Sequence, residues 1–190
     1  MSEVYVFLAD GFEEIEGLTV VDVLRRAGIS VKTVSIMETK KINGSHSIVV
    51  KADKKFEKTD FEKGKMLVLP GGLTGTGNLK NHKGLEQLIL DYAAEGRQLA
   101  AICAAPTILG GLGLLDGKQA TAYPGMEEGL GRAVYKERKV VTDGNITTGR
   151  GMGASIPFAL RLVEILRGEQ AAEITAEKIV YKEWQRDREI

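Results

Sequence analysis

Several residue types are scarce in this chain, and their scarcity limits the sites it can build. Its 190 residues include one cysteine, two histidines and one tryptophan. Because Cys103 is the single thiol, an internal disulfide is impossible, and with only His46 and His82 beside it no four-thiolate or two-thiolate, two-imidazole zinc site can form. A metal site would therefore have to be built from carboxylates, and we predict neither a metal nor another cofactor.

An excess of charge and a long apolar run are also absent. The 26 basic residues balance the 26 acidic ones, so no global field attracts nucleic acid or an anionic membrane. The longest apolar runs, such as 99–102, are far shorter than the ~20 residues of a membrane span. The N-terminal segment has no basic region or cleavage site of a secretory signal. We expect a protein of a reducing, cytoplasmic compartment with no nucleic-acid or membrane partner.

The pattern of apolar residues predicts one α/β domain over residues 1–190. Predicted strands cover 3–9, 30–36, 66–69, 99–102, 119–122, 139–142 and 146–148, and a small antiparallel hairpin turns at Asn43-Gly44 and returns over 47–51. Predicted helices carry the apolar positions Ile15, Leu18, Val21 and Leu24 and then cover 85–96, 106–112 and 155–166. This alternation indicates a doubly wound, mostly parallel sheet between two layers of helices.

Two segments are predicted to lie at the surface. The lysine-rich stretch 51–65 is interleaved with acids and is typical of a solvated connection. Residues 169–190 are predicted to form a surface helix with a charged tail, which could cap the sheet or cover a pocket.

The loops at the carboxyl ends of parallel strands are where such folds bind ligands, and three of them contain unusual residues. These loops cover residues 10–16, 70–72 and 103–106. In the last of them a buried strand runs directly into a helix at Cys103. Helix N–H groups there favour a thiolate, and a tight turn would expose the side chain as in a hydrolase nucleophile elbow. The alternative is that Cys103 is a small core residue.

The other two loops offer an acid and backbone donors. Glu13 and Glu14 open a helix, where the helix dipole alone explains acids, but the register of Glu16 points it toward the sheet. A carboxyl buried there would hold a proton to share with a thiolate. Gly71 and Gly72 could present N–H groups to an oxyanion, or could form a plain tight turn.

Two further glycine-rich runs argue against nucleotide binding. The run 72–77 has the glycine spacing of a P-loop, but Asn78 stands where the lysine should be, and the run 149–153 lacks the dinucleotide-binding pattern. Both His46 and His82 have polar neighbours, which is typical of solvated surface histidines.

Five motifs in order, ADGFEEIE, VVDVLRRAG, VLPGG, AAICAAP and TTGRGMG, resemble the ThiJ/PfpI superfamily, specifically its parkinsonism-associated deglycase branch. The resemblance extends from residue 4 to about residue 168. It implies a flavodoxin-like homodimer in which Cys103 is the nucleophile, a protonated Glu16 hydrogen-bonds to it, and the Gly72 and Ala104 amides form an oxyanion hole. We also expect Gly71 and Arg150 among the oxyanion or substrate-binding residues.

The activity that this resemblance implies is cofactor-independent conversion of α-oxoaldehydes such as methylglyoxal, or removal of glycated adducts. Members with strong glyoxalase activity often have a histidine where this chain has Tyr123, so proton transfer here would fall to Glu16, Tyr123 or water. Oxidative-stress sensing through Cys103 or a chaperone role is the alternative. A peptidase is disfavoured because Ala104, not histidine, follows the cysteine. Arg26 and His46 match positions near the dimer contact, so His46 could approach the partner's pocket.

Overall fold

The computed structural model describes residues 4–184, and within them seven strands form one sheet in the order β10-β11-β7-β6-β1-β2-β5. All neighbouring pairs in it are parallel except β10 and β11. In chain order the strands are β1 (Val4–Leu8), β2 (Val31–Ser35), β3 (Lys41–Asn43), β4 (Val49–Lys51), β5 (Lys54–Lys55), β6 (Met66–Leu69), β7 (Gln98–Ile102), β8 (Gln119–Ala120), β9 (Val134–Tyr135), β10 (Val140–Asp143) and β11 (Ile146–Gly149). The predicted mostly parallel sheet is confirmed.

Helices cover both faces of this sheet. They are α1 (Glu14–Arg26), α2 (Leu73–Asn81), α3 (Lys83–Ala94), α4 (Pro106–Gly111), α5 (Ser155–Arg167) and α6 (Glu169–Lys178). Strand β1 shows why there are two cores: Val4, Val6 and Leu8 face the layer of α1 and α5, while Tyr5 and Phe7 face the layer of α3 and α4. The result is the single-domain, doubly wound sandwich that the pattern predicts, with the flavodoxin-like fold that the family resemblance implies.

Strand order reverses beside β1, which fixes the position of a binding crevice. The chain passes from β1 to β2 on one side and later builds β6, β7 and β11 on the other. The loops after β1, β6 and β7 therefore converge at one edge of the sheet, where doubly wound folds bind ligands.

Helix α1 buries part of the apolar face predicted for it, since Val21 and Leu24 are buried but Ile15 is not. The predicted burial of Glu16 is confirmed. Ile15 is 49% exposed, whereas Glu16 is 1% exposed and Val20 is fully buried. The predicted turn-and-return hairpin is confirmed as the antiparallel pair β3–β4.

The stretch 51–65 is not simply a solvated connection. It contains β5, which pairs with β2 at the edge of the main sheet. Phe56 and Phe61 pack against each other at 5.1 Å between ring centroids and against Phe7 of the core. Lysines hide this short strand from a pattern search because their charges lie on an exposed edge.

The glycine-rich run 72–77 forms the first part of α2, a helix that the sequence analysis missed. Its helix propensity is low, and contacts to the loop after β1 hold it in place. The Gly75 N–H donates to the Gly11 carbonyl at 3.0 Å, and the Asn78 amide donates to the Asp10 carbonyl at 2.9 Å. A helix here leaves no phosphate-binding loop.

Two smaller differences complete the fold. The predicted strand 119–122 is shorter and pairs with β9 in a separate two-stranded sheet. Helix α6 is more than a surface helix, since its Ala172 and Ala176 are buried in the core beside α5, and Trp184 beyond its C-terminal end is buried in the same core. The C-terminal segment thus extends the α1–α5 layer, and the predicted tail beyond residue 184 lies outside the described residues. None of the described helices is long and apolar enough to cross a membrane.

Candidate active site

A cavity of about 670 Å³ opens at the edge where the three loops converge. Its lining includes Gly11, Gly72, Cys103, Ala104 and Tyr123. A volume of several hundred cubic ångströms is that of a small-molecule site. The structure therefore brings together the loops that the sequence analysis selected.

Cys103 occupies a sharp turn between β7 and α4. Its φ of +65° lies in the left-handed region, which is rare for residues other than glycine. The backbone is fixed on both sides, because the Cys103 N–H donates to the Gly149 carbonyl at 2.9 Å and its carbonyl accepts from the Tyr123 N–H at 2.8 Å. The half-buried side chain lies on the cavity wall, as expected for a nucleophile elbow.

Two backbone N–H groups stabilise negative charge at the Cys103 sulfur. They belong to Gly72, the residue before α2, and to Ala104, and both lower the pKa of the thiol. These are the donors predicted for an oxyanion hole. They belong to two different loops, so the arrangement exists only in the folded chain.

Glu16 is the buried carboxyl of the site. Its Oε2 accepts the Gly71 N–H at 2.8 Å, and its Oε1 is buried with no hydrogen-bond partner among the described residues. Burial raises the pKa of Glu16 from its ordinary 4.5 to about 7, against the lowering effect of the hydrogen bonds with Gly71 and Cys103. Glu16 is therefore protonated in acid and half-protonated near neutral pH.

The proton of Glu16 determines the state of Cys103. Burial raises the pKa of the Cys103 thiol, and so do the charge of an ionised Glu16 and the hydrogen bond with it. The charge and the hydrogen bond of Glu16 raise the thiol pKa only when Glu16 is an ionised carboxylate. A neutral carboxyl would instead donate its proton to a thiolate, which adds to the stabilisation by the Gly72 and Ala104 amides. The two groups are thus coupled, and a Cys103 thiolate requires a neutral Glu16 beside it.

Gly71 has a different role from the predicted oxyanion donor, since its N–H is used by Glu16. A Cβ at this position would lie 2.6 Å from Glu16 Oε2 and 2.7 Å from Cys103 Cβ. Gly71 is therefore the residue that lets the acid and the thiol approach each other.

Replacing Gly72 by alanine is expected to destabilise the protein by about 3 kcal/mol. Its φ is +86°, and a Cβ would lie 2.3 Å from the Gly11 carbonyl oxygen and 2.7 Å from the Glu13 nitrogen, both backbone atoms. Urea unfolding measures the change. Gly77→Ala in α2 is the matched control, because its Cβ would meet nothing within 4 Å. It should be neutral or stabilising by up to ~1 kcal/mol, and equal losses in both variants would contradict the argument.

The other predicted site residues divide into two groups. Tyr123 is half exposed, lines the cavity and lies beside Gly151. Arg150 and Arg26 are absent from the lining: Arg150 pairs with Glu137 at 2.8 Å, and Arg26 pairs with Asp22 at 2.6 Å. Neither guanidinium reaches the site in this chain.

His46 and Glu14 are part of the site in a way that the sequence analysis missed. His46 lines the cavity of its own chain, and its Nδ1 lies 3.0 Å from Glu14 Oε2. Glu14 is only 3% exposed because the β3–β4 hairpin covers it. The contact joins residues 32 positions apart, and no local sequence signal reveals it.

The same cluster is the one group of side chains in the described part of the chain that has metal-ligand spacing. Oxygen and nitrogen atoms of Glu13, Glu14 and His46 lie within 4.8 Å of one another. Both Glu14 oxygens already accept hydrogen bonds, from the His46 N–H at 2.7 Å and from the Ser45 hydroxyl at 3.0 Å. The geometry is that of an ion-pair cluster, and nothing in it requires a metal.

Comparison with known proteins agrees with this geometry. The model of the DJ-1/PfpI family matches residues 2–165. The chain is 39% identical over 173 residues to Protein DJ-1 homolog A of Arabidopsis thaliana, which is 90% of this chain and 44% of the plant protein. It is 36% identical over 181 residues to Parkinson disease protein 7 homolog of Danio rerio, which is 92% of this chain and 95% of the fish protein. The chain thus spans less than half the length of the plant relative.

Solved structures and a further relative extend the comparison. Oxidized DJ-1 of Toxoplasma gondii superposes with a TM-score of 0.92 at 33% identity, covering 96% of this chain and 100% of that one. The chain is also 37% identical over 119 residues to isonitrile hydratase of Pseudomonas putida, which is 61% of this chain and 51% of that protein, so its relatives include an enzyme. By the extent of the matched family model and the identity to these relatives, this chain belongs to the DJ-1/PfpI family.

Proposed function

We propose that this protein is a cofactor-independent enzyme of the glyoxalase III or deglycase type, which acts on α-oxoaldehydes or their early adducts through Cys103. The observation that carries the proposal is the placement of one sulfur in a left-handed turn, between two amide donors and a buried acid, on the wall of a cavity. A plain core cysteine needs none of these three features.

The chemistry follows from what each group can do. The Cys103 thiolate would add to the aldehyde carbon, forming a C–S bond while the carbonyl π electrons move to oxygen. The Gly72 and Ala104 amides would stabilise that oxygen, and the Glu16 proton would neutralise it. The product of this step is a hemithioacetal, which needs no external oxidant.

The charge of the cavity supports a small neutral substrate. Within the described residues, the lining contains Asp10, Glu13 and His46 but no lysine or arginine. A carboxylated or phosphorylated aldehyde would meet two acids there and no fixed cation. Methylglyoxal carries no charge and fits this surface better.

Incubation of the purified protein with methylglyoxal is expected to consume the aldehyde and form lactate in equal amounts. Aldehyde loss is followed by derivatisation, and lactate is followed by an enzymatic assay. A heat-inactivated sample corrects for reaction with surface lysines and arginines, which consumes aldehyde without giving lactate. Aldehyde loss with no lactate above this control would overturn the proposal.

A redox sensor is the second candidate, favoured by the isolation of the thiol. Cys103 has no second cysteine to form a disulfide, so two equivalents of peroxide would convert its thiolate to a sulfinate and release two waters. The Glu16 carboxyl and the neighbouring amides suit a sulfinate as well as an oxyanion. A reactive Cys103 that yields no lactate would favour this alternative over the enzyme.

The remaining expectations of the sequence analysis are proposals as well. Exposed apolar side chains on α1 and at the β3–β4 hairpin, Ile15, Ile48 and Val49, support a homodimer. The lone unpaired thiol supports a reducing, cytoplasmic compartment.

A further inference from the structure

His46 lies at the rim of the site as a second titratable group. It belongs to the turn between β3 and β4, and it lines the same cavity as Cys103 and Tyr123. Its side chain is 68% exposed, so it can exchange protons with solvent. The other histidine, His82, instead caps α3 by accepting the Leu85 N–H at 3.0 Å.

Glu14 holds His46 in one orientation. The carboxylate accepts from the His46 backbone N–H at 2.7 Å and from the Ser45 hydroxyl at 3.0 Å, so the whole turn is fixed to α1. Burial raises the pKa of Glu14, but its hydrogen bonds outweigh that effect. With the side-chain hydrogen bond from His46 first among them, they lower the pKa of Glu14 to about 2. Glu14 is therefore ionised at every pH at which the enzyme would work.

The position of Glu14 determines which imidazole nitrogen of His46 is unprotonated in the neutral ring. Nδ1 lies 3.0 Å from Glu14 Oε2, so in the neutral ring it bears the proton and donates it to that carboxylate, while Glu13 Oε2 lies 3.6 Å away. Nε2 is then the unprotonated nitrogen. A buried carboxylate behind an imidazole fixes its tautomer and strengthens it as a base.

The proposed reaction requires such a base. After Cys103 has added to the aldehyde, the proton on the aldehyde carbon must be removed. Glu16 lies behind the sulfur on the Gly71 N–H and is absent from the cavity lining, whereas His46 is part of that lining. A phenol is a poor proton acceptor near neutral pH, which makes Tyr123 a weaker candidate than an imidazole.

We propose that His46, positioned by Glu14, carries the substrate proton between the two carbons of the Cys103-bound α-oxoaldehyde. This inference rests on the proposed function. Nε2 takes the proton from the thiol-bearing carbon, the C–H electrons form the C–C double bond of an enediolate, and the π electrons of the neighbouring carbonyl move to its oxygen. Nε2 then returns the proton to the neighbouring carbon, while the hydroxyl proton moves from the oxygen of the first carbon to the oxygen of the second. One carbon is oxidised and the other is reduced, giving an S-lactoyl thioester. Water then hydrolyses the thioester to lactate and frees the thiol, so Cys103 and His46 end as they began.

The pH dependence of kcat shows whether His46 acts as a base. The hydrogen bond to Glu14 and then the charges of Glu13 and Glu14 raise the pKa of His46 above its ordinary 6.5. Only the neutral imidazole is a base, so kcat should fall as the pH falls through this raised value. The other groups facing the cavity are Asp10, Tyr123 and Cys103, with Glu16 beside the thiol. Protonation of Glu16 favours the reactive pair, so its titration gives the opposite slope.

The experiment compares wild type, His46→Gln and Glu14→Gln by kcat, KM and pH profile with methylglyoxal. We expect His46→Gln to lower kcat about 100-fold with little change in KM and to abolish the acid limb. Glu14→Gln should move that limb to lower pH. His82→Gln is the matched control and should keep the wild-type kcat and acid limb. Lactate formed in D2O by the wild type should carry deuterium on the carbon that receives the proton.

Each contrary result has a distinct meaning. Absence of lactate with the wild type overturns the proposed function and this inference together. Lactate formation with an unchanged kcat and acid limb in His46→Gln overturns this inference alone. Lactate without deuterium in D2O would indicate a hydride shift, and it would exclude a solvent-exposed imidazole as the carrier.

Discussion

Replacing Cys103 by serine is expected to abolish lactate formation from methylglyoxal, with a loss of at least about 1000-fold in kcat/KM. A hydroxyl in the same turn keeps the geometry but not the acidity, because the two amides and Glu16 stabilise a thiolate far more readily than an alkoxide. Coupled assay of lactate measures the loss, and reaction with iodoacetamide reports the thiol in the wild type.

The control for this variant is its fold. Serine differs from cysteine in one atom, an oxygen in place of the larger sulfur. The midpoint of thermal unfolding of Cys103→Ser should therefore be close to that of the wild type. A variant that remains folded and still forms lactate would show that Cys103 is not the nucleophile.

Replacing Glu16 by glutamine and by leucine is expected to raise the pKa of the Cys103 thiol, in the order wild type, glutamine, leucine. In the proposed mechanism the carboxyl of the wild type donates an O–H to the thiolate, whereas glutamine would donate a weaker N–H and leucine would donate nothing. We expect an increase of about one pH unit for glutamine and more for leucine. Both variants should lose at least about 100-fold in kcat/KM, because neither side chain can release a proton. The rate of carbamidomethylation against pH measures the thiol.

The opposite order has a clear interpretation. If both variants lowered the pKa of the thiol, Glu16 would be the ionised partner of a neutral thiol, and the proton assignment in the site would be reversed. Glu177→Gln, an exposed change on α6, controls for the loss of one acidic charge and should leave the thiol pKa unchanged.

Much of this site was predictable because it depends on local chain direction. The buried strand β7 is joined to Pro106, the first residue of α4, by only three small residues, and this short connection predicts the sharp turn at Cys103. The register of α1 predicts the burial of Glu16. The two glycines after β6, Gly71 and Gly72, predict that the backbone there lies close to another group. The family resemblance adds the roles of the Gly72 and Ala104 amides.

The remaining features depend on contacts between distant segments. Glu14 is an ordinary helix-opening acid in the sequence, and only the hairpin packed over it makes it a buried partner of His46. Helix α2 forms despite its glycines because Asn78 and Gly75 are tied to the loop after β1. Trp184 is buried only because α6 folds back beside α5. None of these contacts leaves a periodic signal, so pattern reasoning cannot recover them.

The left-handed conformation of Cys103 has a consequence for selection on this chain. Holding a residue with a Cβ at a φ of +65° costs on the order of 1 kcal/mol, and glycine would avoid most of that cost. A lineage selected for folding alone would therefore drift toward glycine at this position. Selection would keep a sulfur at this position only where its reactivity offsets the lost stability, and position 103 would then be a point of stability–activity trade-off.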